Sequence, residues 1–200
     1  YLGLDLRNLI DASAPVKFGD FEVVPGQYSN IVIVKLTTEG EVAWVRDFGG
    51  PGDQYLWTLA PCGDGVVFQG SADPGTLDLG KGVLQESDFF ASLDGAGDLR
   101  WTRAIPKGPG DPWLFVADMA CDAGMNLAMT GNYSGVVDLG SGPTNGPDGF
   151  VARFDAAGML LWSRGFGDQE SSGVGVAYTP AGDIVVAAHF ARTIELGGVP

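Results

Sequence analysis

The chain has 200 residues, of which 45% are hydrophobic and 18% charged, and this hydrophobic share excludes a disordered protein. Its formal net charge of −14 repels phosphate backbones and anionic lipids, which excludes nucleic acid and membrane surfaces as partners. No apolar run is long enough for membrane insertion, and the 32 glycines and 12 prolines indicate many turns, as in an all-β protein.

The sequence repeats itself with a period of about 58 residues. A tryptophan recurs with an arginine two residues later, a Gly-Asp pair recurs, and a segment ending in Asp/Glu-Leu-Gly recurs. Because three independent markers share one period, chance does not explain them. The markers are Trp44, Trp101 and Trp162; Asp53, Asp111 and Asp168; and the segments 76–80, 136–140 and 193–197.

In chain order, the repeats divide the sequence into four parts. Residues 1–49 are expected to supply strands two to four of a first repeat, with a degenerate copy of the third marker at 18–21. Residues 50–107 and 108–165 are two whole repeats, and residues 166–200 supply strands one and two of a fourth.

Each whole repeat is predicted to contain four short strands bounded by Gly- and Asp-rich turns, a pattern typical of antiparallel hairpins. In the second repeat the predicted strands are Tyr55–Ala60, Val66–Gly70, Phe89–Leu93 and Leu99–Ala104. In the third they are Leu114–Cys121, Asn126–Gly131, Phe150–Phe154 and Leu160–Arg164, and the fourth contains a strand at Ile184–Phe190.

Four antiparallel strands in a repeat of this length predict a β-propeller blade. Stacked blades bury the apolar faces that an isolated blade would leave in water. The predicted fold class is therefore all-β, a β-propeller of four-stranded antiparallel blades. Since a closed ring has about four to eight blades, the chain is expected to be a fragment of a larger propeller, with its natural N-terminus and any export signal outside this segment.

A set of short phrases recurs in the second and third repeats, at 52–55, 63–65, 70–71, 77–80, 88–91 and 94–97 with Trp101, and at 148–155. These phrases resemble the bacterial SBBP repeat family of β-propellers, and the resemblance covers nearly the whole chain. The first repeat departs most, because Asn30 stands where Asp88 and Asp148 occur. The resemblance implies a secreted or surface-exposed bacterial protein and transfers no catalytic residue.

Two sets of aspartates invite a functional interpretation. Asp94 and Asp98 flank one turn, but Ca²⁺ takes six to eight oxygen ligands and the corresponding turns lack the acids, so a hairpin turn is favoured over a Ca²⁺ site. For Asp53, Asp111 and Asp168 we favour a brace between repeats, in which each carboxylate accepts hydrogen bonds from a turn or an arginine. The alternative is a rim of carboxylates that binds a cation or a sugar.

The repeated tryptophans are expected to pack between blades, with carbohydrate stacking as the alternative. The arginine two residues later shares the same strand face, which allows a Trp–Arg stack. The predicted core comprises Trp44, Trp101, Trp162, Val67, Phe90, Val151, Phe154 and Val186.

No catalytic, cofactor-binding or metal-binding residue is predicted. His189 is the only histidine, and it lies in a predicted strand without a Gly-x-Ser-x-Gly elbow in the sequence. Cys62 and Cys121 occupy equivalent positions in neighbouring repeats. We expect two buried free thiols there, with a disulfide as the alternative.

These observations predict a non-enzymatic extracellular or cell-surface scaffold that binds a protein or a glycan, without a cofactor. One alternative is the substrate-positioning propeller of a secreted hydrolase whose catalytic residues lie outside this segment. A structural spacer is a further alternative.

Overall fold

A computed structural model describes residues 1–6, 14–24, 27–73, 77–80, 82–84, 86–110, 112–140, 142, 144–145, 148–167 and 170–190. This part of the chain is all-β. It contains strands and turns but no helix, and therefore no helix that could cross a membrane.

The strands are short and follow the predicted repeats. In chain order they are β1 (Leu2–Leu6), β2 (Val16–Phe18), β3 (Phe21–Val23), β4 (Asn30–Leu36), β5 (Val42–Phe48), β6 (Asp53–Cys62), β7 (Gly65–Asp73), β8 (Leu77–Asp78), β9 (Val83–Leu84), β10 (Asp88–Leu93), β11 (Leu99–Ile105), β12 (Trp113–Cys121), β13 (Leu127–Ser134), β14 (Val136–Val137), β15 (Thr144–Asn145), β16 (Asp148–Phe154), β17 (Leu160–Phe166), β18 (Ser172–Tyr178) and β19 (Ile184–His189).

The strands pair into small antiparallel sheets. The second repeat forms a four-stranded sheet in the order β6-β7-β10-β11, and the third forms one in the order β12-β13-β16-β17. The first repeat contributes the three-stranded sheet β1-β4-β5, and the fourth contributes the pair β18-β19. The predicted strands of both whole repeats are therefore confirmed, with ends that differ by at most three residues.

A two-stranded ribbon lies between the second and third strands of the first three repeats, and the sequence analysis did not predict it. The ribbons are β2-β3, β8-β9 and β14-β15. Asp78 Oδ1 accepts hydrogen bonds from the amides of Gly80 and Gly82 at 2.7 and 3.2 Å, and Asp138 does the same two and four residues later. Gly80 and Gly82 have φ of 99° and 106°, a region that favours glycine, so the copies of the third sequence marker that end at Gly80 and Gly140 lead into ribbon turns.

The chain divides into two compact units, one of residues 1–59 and 64–104 and the other of 60–63 and 105–200. In the first unit, alternate residues of β4 point to opposite faces, and both faces are buried. One face packs with Phe68 and Phe89, whose rings meet edge to face with centroids 6.1 Å apart. Buried residues of the second unit include Val116, Met119, Leu127, Met129, Phe150, Phe154 and Phe166.

The core prediction is confirmed for five of its eight members, which are Trp44, Val67, Phe90, Val151 and Phe154. It is wrong for Trp101, Trp162 and Val186, which are half-buried. In the described part of the chain, all three lie on strands with a paired neighbour on one side only, and part of each side chain reaches solvent. Trp44 also lies on such a strand, but a turn of the next repeat covers it.

Candidate functional site

The Trp-x-Arg phrase of the first repeat holds a turn of the second. Trp44 on β5 is only 7% exposed, and its Nε1 donates a hydrogen bond to the carbonyl oxygen of Gly95 at 3.0 Å. The Arg46 guanidinium lies 5.4 Å from the centroid of the indole ring, within range of a cation–π interaction. The packing role and the Trp–Arg stack are therefore confirmed for this copy.

Three consecutive carbonyls of the turn accept hydrogen bonds from side chains of the first repeat. Arg46 donates from Nε to Gly97 at 2.9 Å and from Nη2 to Ala96 at 2.7 Å. Lys35 on β4 donates from Nζ to Gly95 at 2.8 Å. We call Lys35, Trp44 and Arg46 the turn clamp. Because its cations satisfy backbone oxygens that strand pairing leaves free, the clamp joins the two repeats through polar contacts as well as apolar packing.

The clamped turn is a hairpin turn stabilised by its own first residue. Asp94 Oδ1 accepts hydrogen bonds from the amides of Ala96 and Asp98, each at 2.9 Å, and Gly97 has a φ of 84°. The predicted hairpin turn is therefore confirmed, and one carboxylate oxygen of Asp94 is engaged by the backbone of the turn. Over the described ranges, no group of three or more His, Cys, Asp or Glu side chains could hold a metal ion.

Asp94→Ala is expected to lower the free energy of unfolding by about 1 kcal/mol, because two turn amides lose their acceptor. Asp98→Ala in the same turn is the matched control. Its side chain is 76% exposed and lies 3.6 Å from Arg46, so its loss is expected to cost less than about 0.5 kcal/mol. Urea denaturation of both variants measures the difference, and equal costs would contradict the assignment.

Asp53 braces the first two repeats. Its Oδ1 accepts a hydrogen bond from the amide of Ser29 at 2.8 Å, and the carbonyl oxygen of Ser29 accepts one from the amide of Gln54 at 2.8 Å. The predicted brace is confirmed for this copy, with a backbone amide as the donor. Asp111 and Asp168 lie outside the described residues.

Cys62 and Cys121 form a disulfide, so the expectation of two free thiols was wrong. The bond has an S–S distance of 2.04 Å, and the two Cα atoms lie 5.2 Å apart. Both cysteines belong to the second compact unit and end the first strands of their repeats. Their equivalent positions in the sequence suggested proximity, but only the distance between strand ends decides whether two sulfurs can bond.

A cleft of about 490 Å³ lies beside the disulfide in the second unit. It is lined by residues 121–124 and 178–182, which form the ends of two first strands and the turns that follow them. On this side of the unit, the Arg153 guanidinium lies 3.5 Å from a carboxylate oxygen of Asp122 and next to Tyr178. The polar side chains that line the cleft are those of Asp122, Tyr178 and Thr179.

The charges around the cleft follow from burial and hydrogen bonding. Burial acts to raise the pKa of Asp122, but hydrogen bonds from Asn126 and the amide of Gly124 outweigh it and lower the pKa below its ordinary value. Burial raises the pKa of Tyr178, and the neighbouring Arg153 offsets only part of that increase. At neutral pH the side chains are therefore a carboxylate, a guanidinium and a neutral phenol.

Exposed aromatic side chains lie on the first strands of the second and third repeats. Trp57 on β6 is 55% exposed, and its Nε1 donates a hydrogen bond to Ser71 Oγ at 3.0 Å. The ring of Tyr55, two residues earlier, lies 6.0 Å away between centroids. Trp113 and Phe115 occupy the corresponding positions on β12 and are also exposed. The sequence analysis missed this set because it followed the tryptophans of the fourth strands.

His189 lies at the end of β19, in the predicted strand, and is exposed to solvent.

No known protein-family profile matches the chain, and no curated protein matches it either.

Proposed function

We propose that the chain is part of a non-enzymatic, extracellular or cell-surface β-propeller scaffold that binds a neutral glycan at Trp57. The supporting observation is the exposed indole, whose orientation is held by the hydrogen bond to Ser71 and which is flanked by Tyr55. An exposed ring that is already held in place can cover the apolar face of a pyranose, and little conformational entropy is lost on binding.

The surrounding chemistry narrows the class of ligand. A net charge of −14 disfavours sulfated or uronic glycans, so a neutral glycan is the better fit. The four-stranded antiparallel sheets and the contacts between the first two repeats favour a propeller arrangement for this proposal. The disulfide supports an oxidising compartment, as expected for an exported protein.

Binding to an array of neutral glycans, followed by titration calorimetry with the best ligand, tests the proposal. Trp57→Ala is expected to weaken binding roughly tenfold or more, because the stacking surface is removed. Phe21→Ala, which truncates an exposed aromatic side chain on the β2-β3 ribbon, is the matched control and is expected to bind like the natural chain. Undiminished binding by Trp57→Ala, or no binding to any neutral glycan, would refute the proposal.

A further inference from the structure

An aromatic-Leu-aromatic phrase lies on the first strand of both whole repeats. It occupies residues 55–57 on β6 and residues 113–115 on β12. The first and third residues of such a phrase point to one face of the sheet, and the leucine between them points to the other. Leu114 is buried, whereas Trp113 and Phe115 are 46% and 48% exposed. The third repeat therefore carries exposed rings on one face of its first strand, as the second repeat does at Trp57.

The strand pairing shows that the two phrases lie at equivalent points of their sheets. Gly70 of β7 and Gly131 of β13 each pair with a phenylalanine of the third strand. The residue after each glycine is Ser71 in the second repeat and Asn132 in the third. Ser71 accepts the hydrogen bond from Trp57, and Asn132 pairs with the last aromatic residue of the phrase on β12. The same strand face therefore carries the rings in both repeats.

The rings of the third repeat are exposed although β12 is tied to the first strands of both neighbouring repeats. Cys121 at the end of β12 is bonded to Cys62 at the end of β6. A carboxylate oxygen of Asp118 on β12 accepts a hydrogen bond from the amide of Val176 on β18 at 2.8 Å. Neither neighbouring strand covers the rings, which stay about half exposed in the described structure.

Hydrogen-bonding side chains lie beside these rings. Asn132 is the cross-strand partner of Phe115, and Ser134 is that of Trp113, so all four side chains share one face. The Oδ1 atom of Asn132 accepts a hydrogen bond from Ser172 Oγ at 3.3 Å, which leaves its NH₂ group oriented by that contact and able to donate. None of the four side chains carries a charge.

We propose that the third repeat carries a second binding site for a neutral glycan, centred on Trp113. This inference rests on the proposed function at Trp57 and extends it to two sites in one chain. The indole covers the apolar face of a pyranose, while the amide of Asn132 and the hydroxyl of Ser134 bond the sugar hydroxyls. The uncharged side chains of the site and the net charge of −14 both favour a neutral ligand over an anionic one.

The phrase is not a general property of first strands in this chain. On β18 of the fourth repeat, the exposed apolar side chain is that of Val174, which is 52% exposed and aliphatic. An aliphatic side chain of this size has no flat ring to stack on a sugar. The strand therefore supplies a control position on the same element of another repeat.

NMR titration of the isotope-labelled natural chain tests the proposal through the indole N–H signals. The probes are linear neutral oligosaccharides of glucose, mannose and N-acetylglucosamine. Substitution of each tryptophan by phenylalanine assigns its signal. The signals of Trp57 and Trp113 are both expected to shift when a glycan binds, because each ring stacks on a sugar. Trp44 is only 7% exposed, so its signal is the internal control and is expected to stay in place.

The outcomes separate the second site from the first. A shift of the Trp57 signal alone would overturn the second site and leave the proposed function intact. A shift of the Trp113 signal alone would support the second site and refute the first. If neither signal shifts with any of the oligosaccharides, both proposals fail.

Calorimetry on variants then measures how much the ring contributes to affinity. In a chain that already carries Trp57→Ala, Trp113→Ala is expected to weaken the remaining glycan binding roughly tenfold or more. Trp113→Phe keeps a ring and is expected to retain most of the affinity, and Val174→Ala in the same background is expected to change nothing. A Trp57→Ala chain that binds no oligosaccharide, or one whose binding survives Trp113→Ala unchanged, would overturn the second site.

Discussion

Replacing both Cys62 and Cys121 with serine is expected to lower the free energy of unfolding by about 4 kcal/mol. The bond closes a loop between residues 59 positions apart, and opening it returns the entropy of that loop to the unfolded chain. Small domains have total stabilities of about 5–15 kcal/mol, so the variant would be close to unfolding at physiological temperature. Urea denaturation of the natural chain and the double variant measures the loss.

A reducing agent supplies the control for this prediction. It is expected to destabilise the natural chain by a similar amount and to leave the double variant unchanged, because only the natural chain has a bond to reduce. Intact-protein mass spectrometry under non-reducing conditions checks that the bond is present. Equal stability of the natural chain with and without reductant would show that the bond does not stabilise the fold.

Trp44→Ala is expected to lower the free energy of unfolding by about 3–5 kcal/mol, the range for a large aromatic side chain removed from a core. The substitution removes the apolar contact between the first two repeats. It also removes the indole donor to Gly95 and the surface against which Arg46 packs. The effect includes the cost of leaving part of the turn clamp without its partner.

Trp162→Ala is the matched substitution, since the residue type, strand and register are the same. It is expected to cost about 1–2 kcal/mol less, because the side chain is half-buried and its indole is not hydrogen-bonded to a clamped turn in the described structure. Thermal unfolding followed by far-ultraviolet circular dichroism measures both variants. Equal losses would show that the turn contributes little to the burial of Trp44.

The sequence predicted the features that depend on residues close together in the chain. The strands of the whole repeats follow from short apolar runs bounded by glycine and aspartate, and the turn at Asp94 follows from a side chain that bonds its own backbone two and four residues on. The brace at Asp53 was predicted from its regular spacing, although its donor, the amide of Ser29, was not. The ribbons were missed because two-residue strands are too short to show an alternating pattern.

What the sequence determined by itself is therefore the repeat, the all-β character, the strands and the turns, since each is set by local backbone preferences and period-two patterning. The tertiary structure alone decided which copies of a repeated residue are covered. Trp44 and Trp162 share the Trp-x-Arg phrase, yet Trp44 is buried beneath a turn of another repeat whereas Trp162 is half-buried. The tertiary structure also decided that Cys62 bonds to Cys121 and that Trp57 is exposed, because each of these features depends on atoms far away in the sequence.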